Sequence, residues 1–272
     1  MLLHKGFMPH EGEQIYFETA GARGGPVIVF THGMGGNHMI WYQQVAFFAP
    51  FFRVITWDQR GFGRSTNVTG QSSPQKAATD LAALLEHLGV RNAHVVGQSL
   101  GGWASMGLTL QHPEKVRSLV MADTIGGIHT ALVEREYLAY SARLQAMPDQ
   151  PLKLLDRHPA LESQFGRRGV TERAKAFLYN QISSTSLAPP VEQLRRQLPQ
   201  SFWPAESVNA IKVPTLFIVG SNDDIFSPEV IRDAAMQVPG AVVREIAGAG
   251  HSPYFETPDT WNALVQEFIA AH

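Results

Sequence analysis

The chain has 272 residues, 44% hydrophobic and 17% charged, and its 24 glycines and 17 prolines break it often. That balance excludes disorder, collagen and coiled coil, and the length suits one α/β domain, with or without an insertion. Lys plus Arg number 22 against 24 Asp plus Glu, for a net charge of -2, and no basic cluster exceeds the pairs Arg167–Arg168 and Arg195–Arg196, so no nucleic-acid groove is expected. With 0 Cys there is no disulfide, no thiolate metal site and no thiol nucleophile.

Residues 1–10 lack the charged start and apolar stretch of a signal peptide, and the apolar run Ala46–Phe52 is too short and Pro-broken to span a bilayer. The expectation is a soluble cytoplasmic protein with no membrane insertion. Glu13–Glu18 alternates polar and apolar residues, as an antiparallel edge strand does. Short apolar runs follow at Val27–Thr31, Arg53–Trp57, Ala93–Val96, Arg117–Met121, Thr215–Val219 and Ala241–Ile246; without alternation they suit parallel strands covered on both faces. Between them, Ser73–Leu88 reads as a helix with a Ser N-cap, Pro at its first position and Gly89 as its stop, burying Leu81, Leu84, Leu85 and Leu88. Pro258–Ala271 reads as a closing helix on Trp261, Leu264, Val265 and Phe268. Strand–helix alternation of this kind predicts a mostly parallel α/β sheet flanked by helices.

The alternation stops after Asp123 and resumes near Val213. The interval is rich in Leu, Ala, Arg and Gln, with helix-like stretches near Ala131–Met147, Thr171–Ser183 and Pro190–Leu198, and it exceeds an ordinary crossover. The expected division is a core of residues 1–124 and 208–272 carrying a helical cap at 125–207, inserted before the strand that precedes Asp223.

The sharpest local signal is Gly97-Gln98-Ser99-Leu100-Gly101, set between a strand and a helix. A Ser on so tight a turn has a strained backbone, for which the flanking glycines leave room. Its hydroxyl then stands at a helix N-terminus, where unpaired N–H groups favour developing negative charge. Such a Ser needs a base and an acid. Of eleven histidines, His87 lies in an amphipathic helix, His94 opens a strand and His112 precedes Pro113 at a helix end, whereas His251 sits in a loop after the last strand. Loops at the carboxyl ends of parallel strands are where sites assemble. The acid is sought among Asp223 and Asp224, adjacent in one such loop, and Asp123, at the end of the strand before the insertion; each also fits a turn or cap role.

Taken together, Gly97–Gly101, Gly220–Pro228 and Gly248–Pro253 occur in the order nucleophile, acid, base, and the chain resembles the α/β-hydrolase family over nearly all its length outside the insertion. The resemblance implies a Ser99–Asp223–His251 triad, because related members commonly carry the acid three residues past the Gly that ends its strand. It also implies, for the loop Thr31–Asn37, an oxyanion hole made by the backbone N–H groups of Met34 and Leu100, which leaves His32 structural. Asp58–Ser65 is similar to a loop of proline iminopeptidases, yet Met34 and Gly35 depart from their His-Gly-Gly-Pro-Gly pattern. Ser at position 99 sets the chain apart from epoxide hydrolases and haloalkane dehalogenases, whose nucleophile is Asp. Ester and lactone hydrolases remain, with carbon–carbon bond hydrolases of ring-cleavage diketones next and slow-turnover plant hormone receptors further off. The expected pocket residues are Met34, Trp41, Leu100, Trp103 and Phe226, with Phe165, Phe202 and Trp203 from the insertion and Arg167 or Arg168 for an acidic substrate. The partner expected is a small-molecule substrate. No dinucleotide fingerprint, P-loop or metal cluster is visible in the sequence, so no cofactor is implied.

Overall fold

In the computed structural model, which describes residues 3–22, 24–145, 173–190, 193 and 196–272, eight strands form one sheet in the order β1-β2-β4-β3-β5-β6-β7-β8. These are β1 (Leu3–His10), β2 (Glu13–Gly21), β3 (Val27–Thr31), β4 (Arg53–Trp57), β5 (Ala93–Gln98), β6 (Val116–Ala122), β7 (Thr215–Gly220) and β8 (Val242–Ile246). β1 pairs antiparallel with β2, and β2 with β4; every later pairing is parallel. Glu13–Glu18 is therefore not the edge. β1 covers it, and the sequence hides β1 because nearly all of its side chains stay in or near solvent and present no apolar face.

The central strands β5 and β7 are buried throughout, as their unbroken apolar runs require. Helices α1 (Tyr42–Phe48), α2 (Pro74–His87) and α3 (Gly101–Gln111) cover the sheet. Ser73 caps α2 by accepting from the Lys76 N–H, with Pro74 behind it. Apolar clusters fill both faces. One joins Leu81, Leu84 and Leu85 to Val95 and Phe217; the other is aromatic, built on Phe30, Trp41, Phe48, Tyr254 and Trp261.

Between β6 and β7 the chain builds α4 (Ala131–Gln145), α5 (Arg173–Ser184) and the short α6 (Ala205–Asn209). The two ends of this excursion meet where Ile128 bridges Trp203 and the Trp203 N–H donates to the Gly127 carbonyl at 2.9 Å. β6 and β7 still pair directly, so the excursion does not interrupt the sheet. After β7 come α7 (Pro228–Ala235), β8, the single turn α8 (Pro253–Glu256) and α9 (Pro258–Ala270). No described helix is long and apolar enough to cross a membrane.

Candidate active site

Parallel strands put their carboxyl ends on one edge, and the candidate residues gather there. Ser99 follows β5, Asp123 follows β6, Asp223 lies three residues past β7, and His251 stands in the loop after β8.

The turn at Ser99 is strained as its spacing predicts, with φ at 48°. A Cβ on Gly97 would lie 2.6 Å from the Gly101 carbonyl oxygen, so the strand can enter the helix at this angle only without side chains there. The Ser99 N–H donates to the Ala122 carbonyl at 3.0 Å, and its own carbonyl accepts from Gly102 N–H and from the Thr124 hydroxyl. The turn is thereby tied to β6 and to the first turn of α3.

The loop after β3 presses against this turn. A Cβ on Gly33 would stand 2.9 Å from the Ser99 Cβ and nearer still to the Gln98 amide oxygen, so only glycine permits the approach. Met34 and Leu100, on the two sides of the contact, both line the cavity that holds Ser99. His32 is fully buried: one ring nitrogen meets the Gly33 carbonyl at 2.8 Å and the other accepts the Gln59 N–H at 3.1 Å. Burial pushes its pKa down, which suits a neutral ring bracing the loop.

Asp223 and His251 meet at 2.9 Å, Oδ2 to Nδ1, both buried. The other Asp223 oxygen accepts N–H groups from Ile225 at 2.8 Å and Phe226 at 3.0 Å, which fixes the carboxylate. Asp224 is exposed. Asp123 does not reach the imidazole in the hydrogen-bond network. It is fully buried at φ 48°, and one of its oxygens accepts the Gly220 N–H at 2.9 Å. The other oxygen meets no N–H or hydroxyl, and the Asp223 carboxyl is close enough to act on it electrostatically. Burial first and the Asp223 charge second push the Asp123 carboxyl well above the usual carboxylate range.

Ser99 and His251 share a cavity of about 80 Å³ lined further by Met34, Gln98, Leu100, Trp103, Tyr137, Tyr140, Leu198, Ile225 and Phe226. None of these described walls carries a formal charge. Of the residues expected at the pocket, Met34, Leu100, Trp103 and Phe226 line this cavity and Trp41 does not. It is fully buried below the site, 4.4 Å from the Tyr254 ring and 6.0 Å from Trp261, because the turn His38–Trp41 swings it into the aromatic core. Phe202 packs on His129, and the Trp203 indole N–H donates to the Gly126 carbonyl, so both brace the base of the insertion. Phe165, Arg167 and Arg168 lie outside the described residues. Tyr137 and Tyr140 of α4 escape a sequence reading because only docking of the helix shows which face it turns to the cavity. Gln98 escapes it too; its amide donates to the His251 carbonyl at 3.1 Å. Among the described residues, no group of three or more His, Asp or Glu side chains is disposed to hold a metal ion.

The sequence pattern of the alpha/beta hydrolase fold matches residues 26–258. A relative in Azorhizobium caulinodans, provisionally assigned as the carbamate hydrolase RutD, is 28% identical over 95% of this chain and 96% of its own. The 3-oxoadipate enol-lactonase 2 of Acinetobacter baylyi is 26% identical, covering 92% of this chain and 91% of the relative. Among solved structures, a thermophilic esterase from Thermogutta terrifontis superposes with a TM-score of 0.76 at 25% identity, covering 100% of this chain and 99% of that one.

Proposed function

The chain belongs to the α/β-hydrolase family, whose members are hydrolases, and from that premise we propose that it is a serine hydrolase of neutral, moderately hydrophobic carboxylic esters or lactones. The observation that carries this reading is the convergence of a strained Ser99, an Asp223-bound His251 and an uncharged apolar cavity at one sheet edge.

In this mechanism the Asp223 carboxylate accepts Nδ1–H of His251, leaving Nε2 unprotonated and available as the base. Nε2 takes the Ser99 proton as Oγ attacks the substrate carbonyl carbon. The oxyanion that forms is bound by the Met34 and Leu100 backbone N–H groups, the second at the N-terminus of α3. The imidazolium then protonates the departing alkoxide, and Ser99 keeps the acyl group as an ester. Water, deprotonated by the same nitrogen, attacks that ester and releases the acid.

The cavity walls decide the substrate. Carrying a carboxylate into an apolar pocket costs free energy unless a partner offsets it, and no charged side chain lines the described wall. Esterase and lactonase relatives support the same reading. The test is Ser99→Ala, which should abolish hydrolysis of aryl esters and block covalent labelling by a fluorophosphonate. Labelling that persists at another serine would overturn the assignment.

A further inference from the structure

His251 is held from three sides. Asp223 takes its ring, Gln98 donates to its carbonyl, and the carboxylate of Glu256 takes the backbone on either side of it. The Gly250 N–H lies 3.0 Å from both Glu256 oxygens and the Ser252 N–H lies 3.2 Å from Oε1. Glu256 is 5% exposed, on the single turn α8 just beyond the loop it grips. A buried carboxylate is costly unless its charge is matched by donors, and the two amides that flank His251 are among those donors.

That turn is itself anchored from the insertion. Lys175 of α5 donates to the Glu256 carbonyl at 2.8 Å, and the Tyr179 ring meets Phe255 edge-on at 5.3 Å. On the sheet side, a Cβ on Gly220 would lie 2.1 Å from the Gly250 carbonyl oxygen, so the loop has no slack toward β7.

We propose that Glu256 is a positioning residue, which fixes the reach of His251 toward Ser99 by holding the amides on both sides of it. The inference rests on the reading of Ser99 and His251 as nucleophile and base. Oε1 accepts from both amides and Oε2 from Gly250 alone, so a Gln that keeps its carbonyl oxygen at the Oε1 place sets its NH₂ against the Gly250 N–H. Glu256→Gln therefore exchanges attraction for repulsion at one amide and lets the imidazole drift. An ångström of misplacement in a catalytic group costs about a hundredfold in rate.

The experiment compares the wild type with Glu256→Gln, Glu256→Asp and Val265→Ala, a core variant of α9 that loses thermal stability away from the site. Each is assayed for kcat and KM on a short aryl ester, with the low-field proton resonance of the Asp223-bonded imidazole as a second readout. Glu256→Gln is expected to lose about a hundredfold in kcat with KM unchanged, and to lose or broaden the resonance. Glu256→Asp keeps the charge on a shorter stem and should fall between Glu256→Gln and the wild type. Val265→Ala should keep both kcat and the resonance at temperatures where it is folded. A Glu256→Gln enzyme with wild-type kcat, one that loses activity only in step with its Tm, or a failure of both Glu256 variants to fold would overturn the proposal in favour of a purely structural carboxylate. Ser99→Ala separates the two readings: if it retains turnover the serine-hydrolase reading fails, whereas full loss there beside an unaffected Glu256→Gln removes only the positioning role.

Discussion

The two buried aspartates at the ends of β6 and β7 differ by what surrounds them. Asp223 is ringed by N–H donors from Ile225, Phe226 and His251, and Asp123 has one N–H donor and a neighbouring carboxylate. Replacing the first with Asn removes the acceptor that selects the imidazole tautomer, and Asp223→Asn is expected to lower kcat by about 10⁴, the cost of the same change in a well-studied triad. Asp123→Asn should leave kcat near the wild-type value. Asn is nearly isosteric with a protonated Asp, can still accept from Gly220 and donate to Asp223, and tolerates a positive φ. The substitution should also stabilise the fold in a pH-dependent way. A carboxyl whose folded pKa is raised contributes stability that is complete below its unfolded value of 3.8 and is lost as pH rises toward the folded one. The wild type bears that loss at neutral pH and the Asn variant does not, so the Tm difference should favour Asp123→Asn at pH 7 and vanish below about pH 4. Equal loss of kcat in both variants would show that the aspartates share the acid's role.

Single elements carry two further consequences. The turn His38–Trp41 is moored by its first residue: the His38 N–H and Nδ1 both contact Asp58 Oδ1, at 2.7 and 2.8 Å, while Nε2 lies 3.4 Å from Glu18. Burial alone would lower the His38 pKa, yet hydrogen bonds to Asp58 and Glu18 outweigh it and raise the value to about 9. A raised histidine contributes stability that is complete below its unfolded pKa of 6.5 and disappears as pH passes about 9. The wild-type Tm should therefore decline across that window, and His38→Gln should flatten the decline. A wild-type curve as flat as the variant's would mean that the ring is not charged in the fold. The second consequence concerns α4, which turns Tyr137 and Tyr140 to the cavity. As walls of that space they should set its length, so Tyr137→Ala with Tyr140→Ala should change KM and chain-length preference and leave kcat on the best substrate within a few-fold. A collapse of kcat would instead place a tyrosine hydroxyl in the chemistry.

At the scale of the whole molecule, the sheet was legible because its inner strands are buried on both faces and carry unbroken apolar runs, and Ser99 was legible because its turn tolerates so few residues. What stayed hidden depends on tertiary docking. β1 has no apolar face to betray it, Trp41 reads as a pocket wall until its turn rotates it into the core, and Glu256 looks like any acid in a helical turn until the loop folds back onto it. The same distinction governs substrate range, since the walls of the cavity come from the core loops and the insertion together. A cavity of about 80 Å³ is small beside the ~300–1,000 Å³ usual for drug-sized ligands, which under the proposed function favours a short acyl group over an extended chain. Each methylene that finds an apolar partner contributes about 0.8 kcal/mol, roughly fourfold in kcat/KM if it is realised in the transition state. Added carbons should therefore help until Trp103, Leu198 and Phe226 leave no further space, after which each must displace packed side chains at a cost. A kcat/KM series over aryl esters from acetyl to dodecanoyl should rise to an optimum at short to medium length and then fall, with neutral lactones accepted and charged dicarboxylates poor. A steady rise to dodecanoyl would show that the acyl chain leaves by another route. Efficient cleavage of a ring-cleavage diketone acid beside only trace esterase activity would move the reaction to a carbon–carbon bond and require a cation, such as Arg167 or Arg168, to hold the carboxylate.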